Sequence, residues 1–309
     1  MSNKPSLATQ AAPQVRRTAQ ARRWRTMSWL GLGVGIFLLI YYSVIFVFPF
    51  GTAIWLSFHN WDFIVEPKFI GLRNYQRMFS DPYFWKALRV TAVFSTVEIS
   101  IGVALAILLA FMLSRLHGRL QRSLLALYYL PVITPSVVTI LLWNWLYIPN
   151  GGALNGLLTS LGVPPQPFLN SPDQALYCII VMVIWANVGG AAVLFLAGIN
   201  DVPEELLEVA VLDGAGIWKQ FWYIILPLIR PVIFYQIIVS VIGTVQMFEQ
   251  FFLISGPGFS TRTLALYTYQ LGFQTLNQGY GAAVSIFIFV LLLVATILQL
   301  RRYRIGFEY

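Results

Sequence analysis

Charge is what this sequence has least of. Only 10% of its 309 residues are Asp, Glu, Lys or Arg, while 58% are hydrophobic and the mean hydropathy is +0.72. A soluble domain carries about 25% charged residues, so a water-soluble globule is excluded and an integral membrane protein is implied. Cysteine is reduced to Cys178 alone, inside an apolar run. That excludes an internal disulfide and any zinc cluster built from the chain's own thiolates. The two histidines, His59 and His117, fall in no metal-ligand or triad pattern. No Gly-Lys pair occurs anywhere, which excludes a phosphate-cradling P-loop. No catalytic role is expected of this chain, and no cofactor bound by it. No Lys or Arg lies deep in any apolar run, so an anionic solute would find no cation here, and a neutral one is favoured.

What the chain has in abundance is long apolar runs. A spanning helix needs about 20 mainly apolar residues. Six stretches qualify, at about 28–58, 87–113, 123–148, 174–199, 228–254 and 281–300. Open sheets cannot sit in lipid, and a barrel would show short alternating segments. The expected fold class is therefore all-α, with six transmembrane helices. Leu130-Pro131 followed by Pro135, and Leu226-Pro227 followed by Pro231, share one spacing and predict kinks. Aromatics at 16% fit interfacial belts.

The net charge of +8 follows from topology. Of the 20 Lys and Arg residues, 14 fall on one side of the six spans and Lys68, Arg73, Arg77, Lys86, Arg89 and Arg262 on the other. The positive-inside rule places both termini in the cytoplasm, without any need for nucleic acid as a partner. Residues 1–26 read as a basic, disordered cytoplasmic tail, and 27–309 as the membrane domain. The first apolar run is too long for a signal peptide and ends in no small-x-small site, so an anchor is expected.

Between the fourth and fifth runs lies a polar island, 200–227. Asp201 and Glu204 have capping-box spacing, Pro203 suits a first turn, and Glu204 and Glu205 suit the positive end of a helix. Asp213-Gly214 should end that helix. Trp218, Phe221, Trp222 and Ile225 then share one face of a second helix, closed by Pro227. Such a unit is either a rigid knob facing the cytoplasm or an amphipathic helix lying on the membrane. Only Lys219 and Gln220 stand on its polar face, which is weak for lipid.

Polar groups inside spans are the default candidates for a solute path. In the fourth run these are Trp185, Asn187 and Gly190. In the fifth, Ser240, Gly243, Thr244 and Met247 share one helical face, with Glu249 near its end. The competing reading is that the small residues let helices approach closely. Glu249 could bond a sugar hydroxyl, act in an outer gate, reach water, or pair with Arg262. Glu98 reads as structural.

The island's residues Glu208, Val209, Ala210, Asp213, Gly214 and Ala215, followed by Ile224-Ile225-Leu226-Pro227, resemble the EAA loop of bacterial ABC importer permeases. Val209 stands where that family usually has alanine. Phe69-Ile70-Gly71-Leu72-Arg73-Asn74-Tyr75, Gly152-Ala153-Leu154-Asn155, Val202-Pro203-Glu204-Glu205-Leu206 and Tyr267-Thr268-Tyr269 are similar to stretches of the carbohydrate-uptake branch, of maltose type. The resemblance implies a type I importer permease in a bacterial or archaeal cytoplasmic membrane. It implies a second, different permease, two copies of an ATPase subunit that carry ATP and Mg, and an extracytoplasmic sugar-binding protein. It also implies that Glu204, Glu205, Glu208, Ala210, Asp213, Gly214 and Ala215 couple to the ATPase, and that the fourth and fifth spans line the sugar site by alternating access. Gly190 and Gly243 stand where the maltose permease has bulky residues, so a differently shaped cavity is expected. A permease for glycerol phosphate or peptide, or an ion-coupled secondary transporter, are the rival readings.

Overall fold

A polypeptide this poor in polar side chains must satisfy its backbone internally, and it does so with helices. In the computed structural model the described residues are 29, 31–62 and 64–305. The basic tail lies outside them, as does the Arg304 side chain. The chain divides into two units at Trp55/Leu56. The first is nearly all of α1 (Gly31–Ser57), an apolar helix of spanning length with a π-helical turn at Ser43–Val47 and exposed aliphatic and aromatic side chains.

The second unit carries the other spans. After a two-residue antiparallel pair, β1 (His59–Asn60) and β2 (Lys68–Phe69), come α2 (Arg73–Ser80) and α3 (Pro82–Ser114). There follow α4 (Gly118–Ile133), α5 (Ser136–Leu146), α6 (Ala153–Ser160) and α7 (Ala175–Asn200). Then come α8 (Glu204–Leu212), α9 (Ile217–Gln220), α10 (Arg230–Val245), α11 (Glu249–Leu253), α12 (Leu264–Tyr269) and α13 (Gln278–Ile305). Among the described residues, five helices or helix pairs are long and apolar enough to cross a membrane, and six if α4 and α5 count as one broken span. The chain is thus a multi-pass, mostly helical membrane protein, as expected.

The third run departs from expectation. It is not one helix over 123–148. It breaks at Thr134-Pro135, where α4 and α5 meet at 96°. Proline disfavours helical backbone in the residue before it, and Thr134 is extended (φ −76°, ψ 133°). The fifth run is also interrupted, at Gln246–Phe248 between α10 and α11. Both Leu-Pro-x-x-x-Pro stretches fall at helix breaks, the second at Ile229 just before α10.

The core is built on α3 and α7, which pack along each other, with α4 and α10 against them. Close approach of α4 to α7 depends on Gly189, where a Cβ would run into the Tyr128 carbonyl. Gly189→Val is expected to cost about 1–3 kcal/mol as overpacking and to lower the thermal midpoint of the extracted protein. Gly190→Ala, whose Cβ would sit 3.5 Å from Val132, is expected to melt like the parent.

At one end of the bundle Asp81 caps α3 by accepting from the Tyr83 amide (2.9 Å). It also accepts from the hydroxyls of Tyr267 on α12 and Tyr280 on α13. Burial pushes this carboxyl up, but the two tyrosines and the Tyr83 and Phe84 amides outweigh it and hold Asp81 below the usual carboxylate range. Two residues of the long connections, Asn74 and Asn155, are buried rather than solvent-facing. Asn74 donates to the Ser57 and His59 carbonyls (2.9 Å each), and Asn155 to those of Pro149 (2.9 Å) and Gln166 (2.8 Å).

Candidate functional site

A cavity of about 280 Å³ opens where α3, α4, α7 and α10 meet. Its lining brings together Asn187 and Gly190 from α7 with Ser240, Gly243 and Thr244 from α10 and Met247 from the break after it. These are six of the eight residues expected on a solute path, and they come from two groups about 50 positions apart in sequence. Helical periodicity keeps Asn187 and Gly190 on one face of α7, and Ser240, Gly243 and Thr244 on one face of α10. Gly243 has open space around its Cβ position, so it shapes the cavity and is not a packing contact. Thr244 is tied to its own helix, donating to the Ser240 carbonyl at 2.8 Å. Gln236 donates to the Ser240 hydroxyl at 3.1 Å.

Two of the expected path residues stand elsewhere. Trp185 packs edge-on against Trp143 (5.7 Å between ring centres) and is not in the lining. Glu249 begins α11 and accepts from the Ser136 hydroxyl at 2.6 Å. It therefore joins the break before α11 to the break before α5. It does not pair with Arg262, whose guanidinium lies over the Phe259 ring (3.7 Å). Sequence reasoning missed Glu98 and Gln236, both of which line the cavity. Glu98 was read as structural. Its position one turn before Gly102, on a face with room beside it, was the available signal.

At the other end of the same helices stands the knob. α8 ends at Gly214, whose φ of 75° favours glycine. The Gly214 and Ala215 amides donate back to the Val211 and Ala210 carbonyls (3.0 and 2.8 Å), closing the helix. The capping box does not form. Pro203 takes the N-cap position without a side-chain cap, and Asp201 instead ends α7. Glu204, Glu205, Glu208, Asp213 and Gly214 are exposed, Ala215 is half-buried and Ala210 faces the core.

The second helix also differs from the expected single face. A π-helical turn at Phe221–Ile225 shifts the register after α9. Phe221 and Ile225 are buried, while Trp218 and Trp222 are exposed. The knob is held to the bundle through Gln220. Its amide donates to the Ala215 carbonyl (3.0 Å), and its oxygen accepts from Arg115, just after α3 (3.2 Å). Leu206, Val209, Val211, Leu212 and Tyr223 project outward, Leu212 and Tyr223 being 86% and 80% exposed.

Residues 102–301 match the family described as the binding-protein-dependent transport system inner membrane component. The chain belongs to that family. The permease is 34% identical over 271 residues to the trehalose/maltose transport system permease protein MalF of Thermococcus litoralis, covering 85% of this chain and 90% of that one. It is 32% identical over 282 residues to the sn-glycerol-3-phosphate transport system permease protein UgpA of Yersinia pestis, covering 89% and 94%. Its fold is that of a bacterial ABC transporter involved in the import of the acidic polysaccharide alginate. That match has a TM-score of 0.82 and 24% identity over 93% of this chain and all of the other. A bacterial alginate ABC transporter in complex with an alginate pentasaccharide-bound periplasmic protein matches with a TM-score of 0.81 and 24% identity, over 93% of this chain and 99% of the other. The permease therefore has a type I ABC importer fold, with the cavity near mid-span and the exposed knob at the end of α7 and the start of α10.

Proposed function

We propose that this permease is one of two different membrane subunits of an ATP-driven importer for a neutral sugar or oligosaccharide. An extracytoplasmic binding protein delivers the solute, and two copies of an ATPase seat on residues 200–227. ATP closure of those subunits moves the knob, and the spans reorient around the cavity in alternating access. The observation that carries this reading is the cavity itself. Its lining offers amides and hydroxyls from Asn187, Gln236, Ser240 and Thr244, which bond hydroxyl groups in either sense. Among the described residues none in its lining is Lys or Arg, which favours a neutral cargo over the anionic ones named for two similar proteins. The exposed apolar side chains around Gly214 support a docking surface, since such a patch on a firmly anchored unit marks a contact site. The importer reconstituted with its binding protein tests the reading. Sugar-dependent stimulation of ATP hydrolysis supports it, and none with any neutral saccharide the binding protein holds would exclude it.

Orientation is part of this proposal, and exposed positions test it better than the buried Asn74 and Asn155. Glu66→Cys, Pro165→Cys and Gln274→Cys are expected to react with an impermeant thiol reagent in intact cells. Asp213→Cys and Lys219→Cys should react only after the membrane is opened. The inverse pattern would place the termini outside.

A further inference from the structure

Among the described residues, Glu98 is the one ionisable side chain in the cavity lining. It lies on α3, whereas the path residues named from sequence lie on α7, on α10 and at Met247 and Glu249 beyond the end of α10. It is 7% exposed. Among the described residues neither of its oxygens takes part in a hydrogen bond or an ion pair.

A carboxylate that ties helices together would show its partner, and the candidates decline. Gln236 donates to Ser240, and Ser95, one turn away on α3, is buried with its own hydroxyl unpartnered. Gly102 follows one turn later, where even a built Cβ would stand 3.6 Å from Glu98 Oε1. The carboxylate thus opens on the cavity with no protein group answering it. Ionisable residues within spans are expensive, and they persist where they face a water-filled path.

We propose, resting on the import role set out above, that Glu98 is a specificity-determining residue of the solute path. Its carboxylate accepts hydrogen bonds from the hydroxyls of a neutral saccharide and repels anionic solutes. Its two oxygens offer about four acceptor sites, enough for a pair of adjacent sugar hydroxyls. Bonds to an ionised acceptor are stronger than neutral ones. A phosphate or uronate at the same place meets a like charge in a medium that screens poorly, which is discrimination by repulsion. Asn187, Gln236 and Ser240 supply the uncharged remainder of the lining.

Charge selectivity of the cavity can be read without knowing the cargo. Ser240→Cys is made in a Cys178→Ala background, and the assembled importer is kept in its membrane. Cationic and anionic methanethiosulfonate reagents are compared, each rate normalised to a free thiol in solution. With Glu98 present the cationic reagent is expected to react about tenfold faster, because a focused negative potential concentrates cations. Glu98→Gln should bring the two rates to near equality, and Glu98→Asp should keep the difference. Equal rates in the Glu98 parent overturn the proposal, as does an introduced thiol that neither reagent reaches. The parent ratio decides even where Glu98→Gln does not assemble. Failure of the import reading is distinct: it shows as no binding-protein-stimulated ATP hydrolysis in the same preparation, whatever the labelling ratio.

Discussion

Gly243→Trp is expected to abolish solute uptake while leaving basal ATP hydrolysis by the assembled importer unchanged. The Cβ position of Gly243 meets nothing within 4 Å, so an indole there points into the cavity of about 280 Å³ and not into a neighbouring helix. The bundle is spared and the path is filled. Asn187→Leu is the graded companion. It removes a donor and an acceptor from the lining, and a lost hydrogen bond costs about 0.5–1.5 kcal/mol. Uptake should then fall several-fold and not vanish. Transport and ATPase measured on one reconstituted preparation separate the two effects. Parental uptake in both variants would move the solute path off this chain and onto the partner permease.

Gly214→Pro and Glu208→Lys are expected to uncouple transport without unfolding the protein. Gly214 sits at φ 75°, and proline is locked near −65°, so the turn cannot form as it stands. Proline also removes the amide that donates to the Val211 carbonyl. Glu208→Lys leaves α8 in place and reverses a charge on its exposed face. Charge reversal at a docking surface lowers the encounter rate and penalises the complex. Neither change touches the Gln220–Arg115 contact or the buried Phe221 and Ile225 that hold the knob to the bundle. The expected result is normal extraction and melting, with uptake and binding-protein-stimulated ATP hydrolysis both reduced by about tenfold or more, the effect of about 1.4 kcal/mol on the coupling contact. Full stimulation in both variants would remove the knob from the coupling path.

Much of this was open to a reading of residues alone. Apolar run length determined that the chain lives in a membrane and how many times it can cross, because the bilayer sets a fixed length for a helix. Gly214 marked its turn, since few other residues accept that backbone. Asn187, Gly190, Ser240, Gly243 and Thr244 stood out as polar or small positions on helical faces, and the fold brings those faces together, with Met247 beside them.

The tertiary structure decided the rest, and the reason is common to each case. Periodicity tells which face of a helix differs from the others, but in apolar surroundings most faces look alike. Pro131 and Pro135 both announced a kink. The structure shows which of them breaks the helix: Pro135 carries a 96° break, and Pro131 stays within α4. Asp201 had the spacing of a cap, yet α7 ran on to claim it. One π-helical turn, invisible in a 3.6-residue pattern, sent Trp218 and Trp222 outward while Phe221 and Ile225 went in. Asn74 and Asn155 are polar and lie in connections, yet each found backbone carbonyls to satisfy it and was buried. Glu98 carries the same lesson at the site. Its chemistry was plain in the sequence, but whether it met a helix or a cavity depended on α7 and α10, which arrive some 80 to 140 residues later in the chain.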